Sequence, residues 1–308
     1  MDNKQTILVT GASGAQGGSV ARHLLADGTF HVRCLLRNTQ SSKAEALALA
    51  GAELVQGDMS DLNSIIEAMK GVYGVFAVTN FWEHFAEEES HGINLIDAAV
   101  AANVDYFMYS SLPPAEKISK GVYPVPHFDI KAKLQDYAKL VKPDSSFVHV
   151  AGYYENMTSY ILPRKGADGV YYWRIPQGDT RYASFAVEDL GGVVLSMFKH
   201  PEVYKGRTVG VVGADMHCAE YAAILSKVLE IPVVYEHVSQ EAYTALGFPG
   251  AKELADMYSF NREYILNRQL DLIESNGLYP AMQDFETWAR ANKKVFQQVL
   301  QLEKEAAA

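Results

Sequence analysis

Cysteine is scarce in this chain of 308 residues: Cys34 and Cys218 are its only two. That is too few for a disulfide framework, and their separation excludes paired metal-ligand spacing. His217 beside Cys218 is an isolated pair, well short of a ligand set, so no metal is expected. No apolar run approaches the roughly 20 residues that span a bilayer. The opening Met1-Asp2-Asn3-Lys4-Gln5 carries no apolar signal core and no small-residue cleavage site. A cytosolic protein, or a nuclear one, is therefore expected, with no membrane involvement. Positive charge is short as well, 27 Lys+Arg against 37 Asp+Glu for a formal net charge of −10, with no Lys/Arg run. Direct nucleic-acid binding, which needs a basic face to displace counterions from phosphate, is not expected. What remains, 48% apolar and 21% charged residues, is the balance of a globular protein.

The first half alternates strands with helices. Strands are predicted at Thr6 to Thr10, His31 to Leu36, Glu53 to Gln56, Gly74 to Val78, Tyr106 to Ser110 and Ser146 to Val150. Several are continuous apolar runs, as in strands covered on both faces. Between them lie helical stretches at Ser19 to Leu25, Ser41 to Ala50, Leu62 to Met69 with Asp61 as N-cap, and Glu87 to Ala102. This is the pattern of an α/β, Rossmann-type, doubly wound parallel sheet. Beyond about residue 152 the alternation stops. Short strands (Gly169 to Trp173, Thr208 to Val212, Val233 to His237) mix with helices (Ala219 to Leu229, Gln240 to Leu246), and Lys252 onward reads as mostly helical, with 303–308 a frayed end. With no Gly/Ser or Pro-rich linker, the expected organisation is a Rossmann domain over 1–152. A smaller α+β domain over 153–308 packs directly on it and returns some segments to it.

The strongest local signal is Gly11-Ala12-Ser13-Gly14-Ala15-Gln16-Gly17-Gly18, directly after the first strand and before a helix. Gly-x-x-Gly-x-x-Gly in that setting turns the backbone sharply and brings its amides against a pyrophosphate at the positive end of the helix. Gly11, Ser13, Gly14, Ala15, Gln16 and Gly17 are accordingly expected to hold a dinucleotide. No carboxylate occurs between Asp27 and Glu45, where an NAD-preferring site places its ribose-binding acid, and Arg37 stands there instead. A guanidinium pairs bidentately with a 2′-phosphate and stacks on adenine, which points to NADP(H). After the third strand, Gly57-Asp58-Met59 borders the adenine. Asp58 either hydrogen-bonds the adenine amino group or caps the helix from Ser60.

These features resemble the short-chain dehydrogenase/reductase superfamily, and the chain is similar to the NmrA-like family of its atypical members. The residues that carry the likeness are Thr10 to Val20, Val78-Thr79-Asn80-Phe81-Trp82-Glu83, His127-Phe128-Asp129-Ile130-Lys131 and Leu246-Gly247-Phe248-Pro249-Gly250-Ala251. The likeness runs from residue 5 to about 290 and is nearest to the animal redox-sensor branch. Active short-chain reductases place Tyr-x-x-x-Lys on one helix face, with a serine at the end of the preceding strand. The ammonium lowers the phenol pKa and holds the nicotinamide ribose while the tyrosine transfers the proton.

Here Lys131 fills the lysine position and Ser110 or Ser111 the serine position, but His127 stands at the tyrosine position. None of the 18 tyrosines has a lysine four residues later, and Pro124 and Pro126 break any helix from Tyr123. Ser111 and His127 are therefore the catalytic candidates. His127 stands open as a general acid, as a remnant that helps hold the cofactor, or as packing. Thr79 and Asn80, after the fourth strand, are expected at the pyrophosphate or nicotinamide ribose. Phe81 and Trp82 wall the nicotinamide or fill core, and Tyr153 and Asn156 close over that pocket. The resemblance implies an NADP(H)-binding redox sensor with a regulatory protein partner, as monomer or homodimer. The alternative is an NADPH-dependent reductase of a small carbonyl, imine or quinone-like substrate.

Overall fold

Most of the strands in the first half are short apolar runs, with β-branched and aromatic residues on both faces, so they are stable only inside a sheet covered on both sides. The structure, a computed structural model, describes residues 4–302. Met1 to Asn3 and the helix end expected over 303–308 lie outside the described residues. In chain order the strands are β1 (Thr6–Val9), β2 (His31–Leu36), β3 (Glu53–Gln56), β4 (Gly74–Ala77), β5 (Tyr106–Ser111), β6 (Ser146–Val150), β7 (Gly152–Tyr153), β8 (Arg164–Lys165), β9 (Tyr171–Ile175), β10 (Arg181–Phe185), β11 (Thr208–Val211), β12 (Ala214–His217) and β13 (Val233–His237). The central sheet runs β11-β6-β5-β4-β1-β2-β3 and is parallel throughout. The expected Rossmann-type sheet is thus present, with a reversal of strand order between β1 and β4 that opens a crevice at their carboxyl ends.

The helices of the first half are α1 (Ala15–Asp27), α2 (Ser42–Leu49), α3 (Leu62–Met69), α4 (Glu88–Ala101), α5 (Ala115–Ile118) and α6 (Pro126–Val141). Asp61 caps α3 by accepting from Asn63 and Ser64 N–H, and Ser41 caps α2 through Ala44 N–H. The first helix is longer than its composition suggests. It begins at Ala15 inside the glycine loop rather than at Ser19, so Gly17 and Gly18 fall in its first turn despite the helix cost of glycine. It stops at Gly28, which takes the left-handed conformation (φ 73°) and donates to the Leu24 carbonyl. In α6, Pro126 occupies the first turn, where its missing N–H costs nothing. Asp129 reaches back to accept from the N–H groups of Val125 and Glu116.

The later helices are α7 (Leu190–Lys199), α8 (Pro201–Tyr204), α9 (Cys218–Leu229), α10 (Gln240–Thr244), α11 (Ala251–Tyr264), α12 (Gln269–Leu278), α13 (Phe285–Ala291) and α14 (Lys293–Val299). Residues of α1, α2, α7 and α12 bury one face of the central sheet, and those of α3, α4 and α6 bury the other. The strand read at Thr208 to Val212 is the seventh strand of this sheet, beyond β6. Two three-stranded sheets, β12-β10-β7 and β13-β9-β8, share a separate core with α9, α11 and α13 built on Trp173, Tyr221, Tyr154 and Phe285. The strand expected from Gly169 begins at Tyr171 and runs to Ile175. Gly169 instead sits at φ 83°, in the turn after β8.

Candidate functional site

The crevice is set by how β1 ends. Thr10 Oγ1 accepts from Val78 N–H at 2.8 Å and donates to the Val78 carbonyl at 3.1 Å, tying the exits of β1 and β4 together. Gly11 then turns the chain at φ 60°, a conformation that favours glycine. A side chain at Gly17 would place its Cβ 2.3 Å from the Thr10 carbonyl, so α1 can pack against the loop only with glycine there. Gly14 leads into α1 with no side-chain cap, and the first turn carries no acidic residue. The helix therefore presents unpaired amides and its positive end to the crevice.

A cavity of about 390 Å³ begins at these amides. Gly11, Ser13, Gly14, Ala15, Gln16, Gly17, Arg37, Asp58, Met59, Thr79, Asn80, Lys131, Tyr153 and His127 all line it. Lys43 Nζ donates to the Ser13 carbonyl at 3.0 Å and bridges the first two loops. At the β2 corner Arg37 pairs with Glu83, and its Nη1 lies 3.3 Å from His84 Nε2. Asp58 accepts from Ser60 N–H at 2.9 Å and Ser60 Oγ at 2.8 Å, which hold its carboxyl below the usual range. The helix that follows is capped by Asp61 and begins at Leu62, so the capping alternative for Asp58 reduces to this local turn.

At the other end Gln16 bridges two elements. Its Nε2 donates to Tyr153 Oη at 2.6 Å and its Oε1 accepts from Ser110 Oγ at 2.7 Å. Burial pushes the Tyr153 phenol up to about 12. Of the two candidate serines, Ser110 faces the cavity and Ser111 does not. Ser111 is fully buried and donates to the Lys131 carbonyl at 3.0 Å. Its expected place beside a reacting carbonyl is therefore corrected: alternation along β5 turns it into the α6 packing. Asn156 does not line this cavity, whose wall reaches Tyr153 and not the short helical turn at Tyr154–Thr158 that carries Asn156.

Lys131 borders the cavity, but its ammonium is already engaged. Nζ donates to Glu88 Oε1 at 2.5 Å and to the Thr79 carbonyl and Oγ1 at 3.1 and 3.0 Å. Three donors thus meet three acceptors, and a ribose hydroxyl would have to displace one of them. Thr79 Oγ1 also lies 2.9 Å from Tyr109 Oη, and burial raises that phenol. His127, one turn before Lys131, is held by Glu253 of α11. One oxygen, Oε1, accepts from the His127 main-chain N–H at 2.9 Å and from Nδ1 at 2.5 Å. Nε2 is left as the free ring nitrogen. Phe81, Trp82 and Phe128 surround the ring at centroid distances of 5.6, 5.3 and 4.8 Å. Phe81 is buried, whereas Trp82 is half-exposed and lies across Gly250.

Sequence reading missed Glu83, Glu88 and Glu253. The first lies in the quoted Val78 to Glu83 stretch and the last just past Ala251, but nothing in linear spacing ties them to Arg37 or His127. Cys34 and Cys218 are buried, and burial pushes both thiols up to about 12. Among the described residues no three His, Cys, Asp or Glu side chains cluster to hold a metal, and no helix is long and apolar enough to cross a membrane.

Fold and crevice together define a Rossmann-type protein with a glycine loop opening on the topological switch point. The NmrA-like family model matches residues 3–289, and the chain belongs to that family. It is 31% identical over 269 residues to an NmrA-like family domain-containing protein of Dictyostelium discoideum, covering 84% of this chain and 87% of that one. It is 29% identical over 280 residues to the NmrA-like family domain-containing oxidoreductase FrzB of Cladobotryum, covering 83% of each. Among solved structures, NmrA, a negative transcriptional regulator in complex with NADP, superposes with a TM-score of 0.81 at 24% identity over 100% of this chain and 98% of that one. The Citrobacter triphenylmethane reductase complexed with NADP(H) gives 0.77 at 21% over 96% of this chain and 100% of that one.

Proposed function

We propose that the protein binds NADP(H) in this crevice and acts as a redox sensor, passing cofactor status to a regulatory protein partner. The observation that carries the reading is the contrast between the two ends of the cavity. The phosphate end has all that a dinucleotide needs, with uncapped amides at the α1 N-terminus, a loop closed to any Cβ at Gly17 and a guanidinium at the β2 corner. At the other end the usual proton relay is missing, for His127 replaces tyrosine and the Lys131 ammonium is bound to Glu88.

Gly11, Ser13, Gly14, Ala15, Gln16 and Gly17 would hold the pyrophosphate. Arg37 would hold the 2′-phosphate, with Asp58 and Met59 at the adenine. Thr79, Asn80 and Tyr153 would border the nicotinamide ribose, with Lys131 behind them. A bound nicotinamide would supply or accept hydride, its two redox forms differ in charge, and His127 lines the same cavity. The cavity wall reaches the second half through Trp82 on Gly250 and through His127 on Glu253. A change at the nicotinamide end therefore biases how α11 is held, which is the linkage a sensor needs.

Calorimetric titration with NADPH, NADP+, NADH and NAD+, followed by nicotinamide absorbance with carbonyl and quinone acceptors, tests this. Binding of NADP(H) without turnover supports the sensor, and absence of binding to every nucleotide refutes it. Arg37→Glu is expected to weaken NADPH by about 1–3 kcal/mol, roughly five- to 150-fold, through loss of a charge-assisted pair, with added repulsion on top. Unchanged affinity would remove Arg37 from the phosphate site.

The second reading is an NADPH-dependent reductase, and the His127–Glu253 pair favours it. A carboxylate on Nδ1 orients the imidazole and leaves Nε2 free toward a substrate, with Ser110 rather than Ser111 on the cavity wall. Turnover with any acceptor in that panel would select this reading. His127→Ala should then lower kcat about 100-fold or more, and undiminished turnover would exclude His127 from proton transfer.

A further inference from the structure

The β2 corner holds an anion of the chain's own. Glu83 lies just beyond β4, across the crevice from Arg37, and its Oε1 pairs with Arg37 Nη2. Its other oxygen, Oε2, accepts from Asn80 Nδ2 at 3.1 Å, and His84 Nε2 lies 3.5 Å from Oε1. Arg37 holds the Glu83 carboxyl below the usual range. Both side chains are about half exposed, 58% for Arg37 and 48% for Glu83, so the carboxylate can swing into solvent without repacking any core. All four residues line the cavity.

We propose that Glu83 is a specificity-determining residue: a carboxylate contributed from across the crevice that competes with a 2′-phosphate for Arg37 and favours a 2′-hydroxyl. The inference rests on the NADP(H) reading above. A phosphate dianion on the Arg37 guanidinium meets the Glu83 carboxylate on the same fork, and like charges at that distance repel, so Glu83 must leave or share. A 2′-hydroxyl brings no charge. It can donate to Glu83 while the ion pair stays intact, which supplies the ribose acceptor that the second strand lacks between Asp27 and Glu45. One corner thus serves both nucleotides with different partners. The preference for NADP(H) is smaller than Arg37 alone would give.

The test is calorimetry of the wild type and Glu83→Gln with NADPH, NADH and adenosine 2′,5′-bisphosphate, with thermal midpoints as a folding control. Glutamine keeps the shape and removes the charge. Glu83→Gln is expected to bind NADPH and the bisphosphate about three- to tenfold more tightly, the range of an exposed ion pair plus relieved repulsion. NADH affinity should stay level or fall. The gain should shrink as salt is raised, because an exposed pair is screened. Equal shifts for NADPH and NADH, or no gain for NADPH, would overturn the role of Glu83 while leaving NADP(H) binding in place. Failure of both proteins to bind NADPH would overturn the underlying reading and this inference with it.

Discussion

Lys131→Met should destabilise the folded chain by about 3–5 kcal/mol, the usual cost of stranding one partner of a buried ion pair. Glu88, the first residue of α4, is completely buried. Its Oε1 takes Lys131 Nζ and Thr79 Oγ1, whereas Oε2 has no protein partner. Without the ammonium, a completely buried carboxylate remains with a hydroxyl as its one donor. Urea denaturation reads the loss directly. The double variant Lys131→Met/Glu88→Met removes both charges and should recover most of the stability. NADPH titration of that double variant separates the two jobs assigned to Lys131. Restored stability with weakened binding assigns it to the ribose as well as to the fold, and restored stability with unchanged binding makes it a structural residue alone. If the single variant costs less than about 1 kcal/mol, the pair is not holding the crevice together.

The second large effect is a loss of stability in mild acid. His149 on β6 is mostly buried, its Nε2 lies 2.8 Å from Gln135 Oε1, and its carbonyl accepts from Arg268 Nη2 at 2.9 Å. Burial first, then the positive charges of Arg268 and Lys139, lowers its pKa to about 4, against a small opposing pull from Asp271. The unfolded chain takes up this proton near 6.5 and the folded chain only near 4. The stability is therefore fully present above pH 6.5 and is lost as the pH falls from 6.5 to about 4, by about 3 kcal/mol in all. Urea midpoints at pH 7.5, 5.5 and 4, compared with those of His149→Gln, isolate this contribution from the carboxylates that titrate nearby. The variant should lose stability less steeply across that interval, and parallel curves would refute the assignment.

How much of this was legible in the linear chain depended on sequence distance. The glycine loop could be read because strand, turn and helix are contiguous, and Arg37 because a missing carboxylate is visible without any contact. Glu88 meets Lys131, Glu253 meets His127 and Glu83 meets Arg37 only through tertiary packing, across separations of 43, 126 and 46 residues. No local pattern marks such pairs. The choice between Ser110 and Ser111 was closed for another reason. β5 is buried on both faces, so its residue types show no polar–apolar pattern, and only the packing of one face on α6 and the other on the glycine loop decides which hydroxyl meets Gln16. Thr208 to Val212 read as a strand and forms one over Thr208–Val211, but an apolar run does not say which sheet it will join.

That last strand has a consequence for how the chain is made. β6 pairs on one side with β5 and on the other with β11, whose residues follow it by some 60 positions. During synthesis the N-terminal sheet can be laid down as far as β6, yet its outer edge stays unprotected until Val211 has left the ribosome. An uncovered apolar edge strand is where nascent chains pair with one another instead of with themselves. The chaperone demand of this protein should therefore fall in the interval between the emergence of residues 150 and 211 from the ribosome, and a cut near 152 would make that interval permanent.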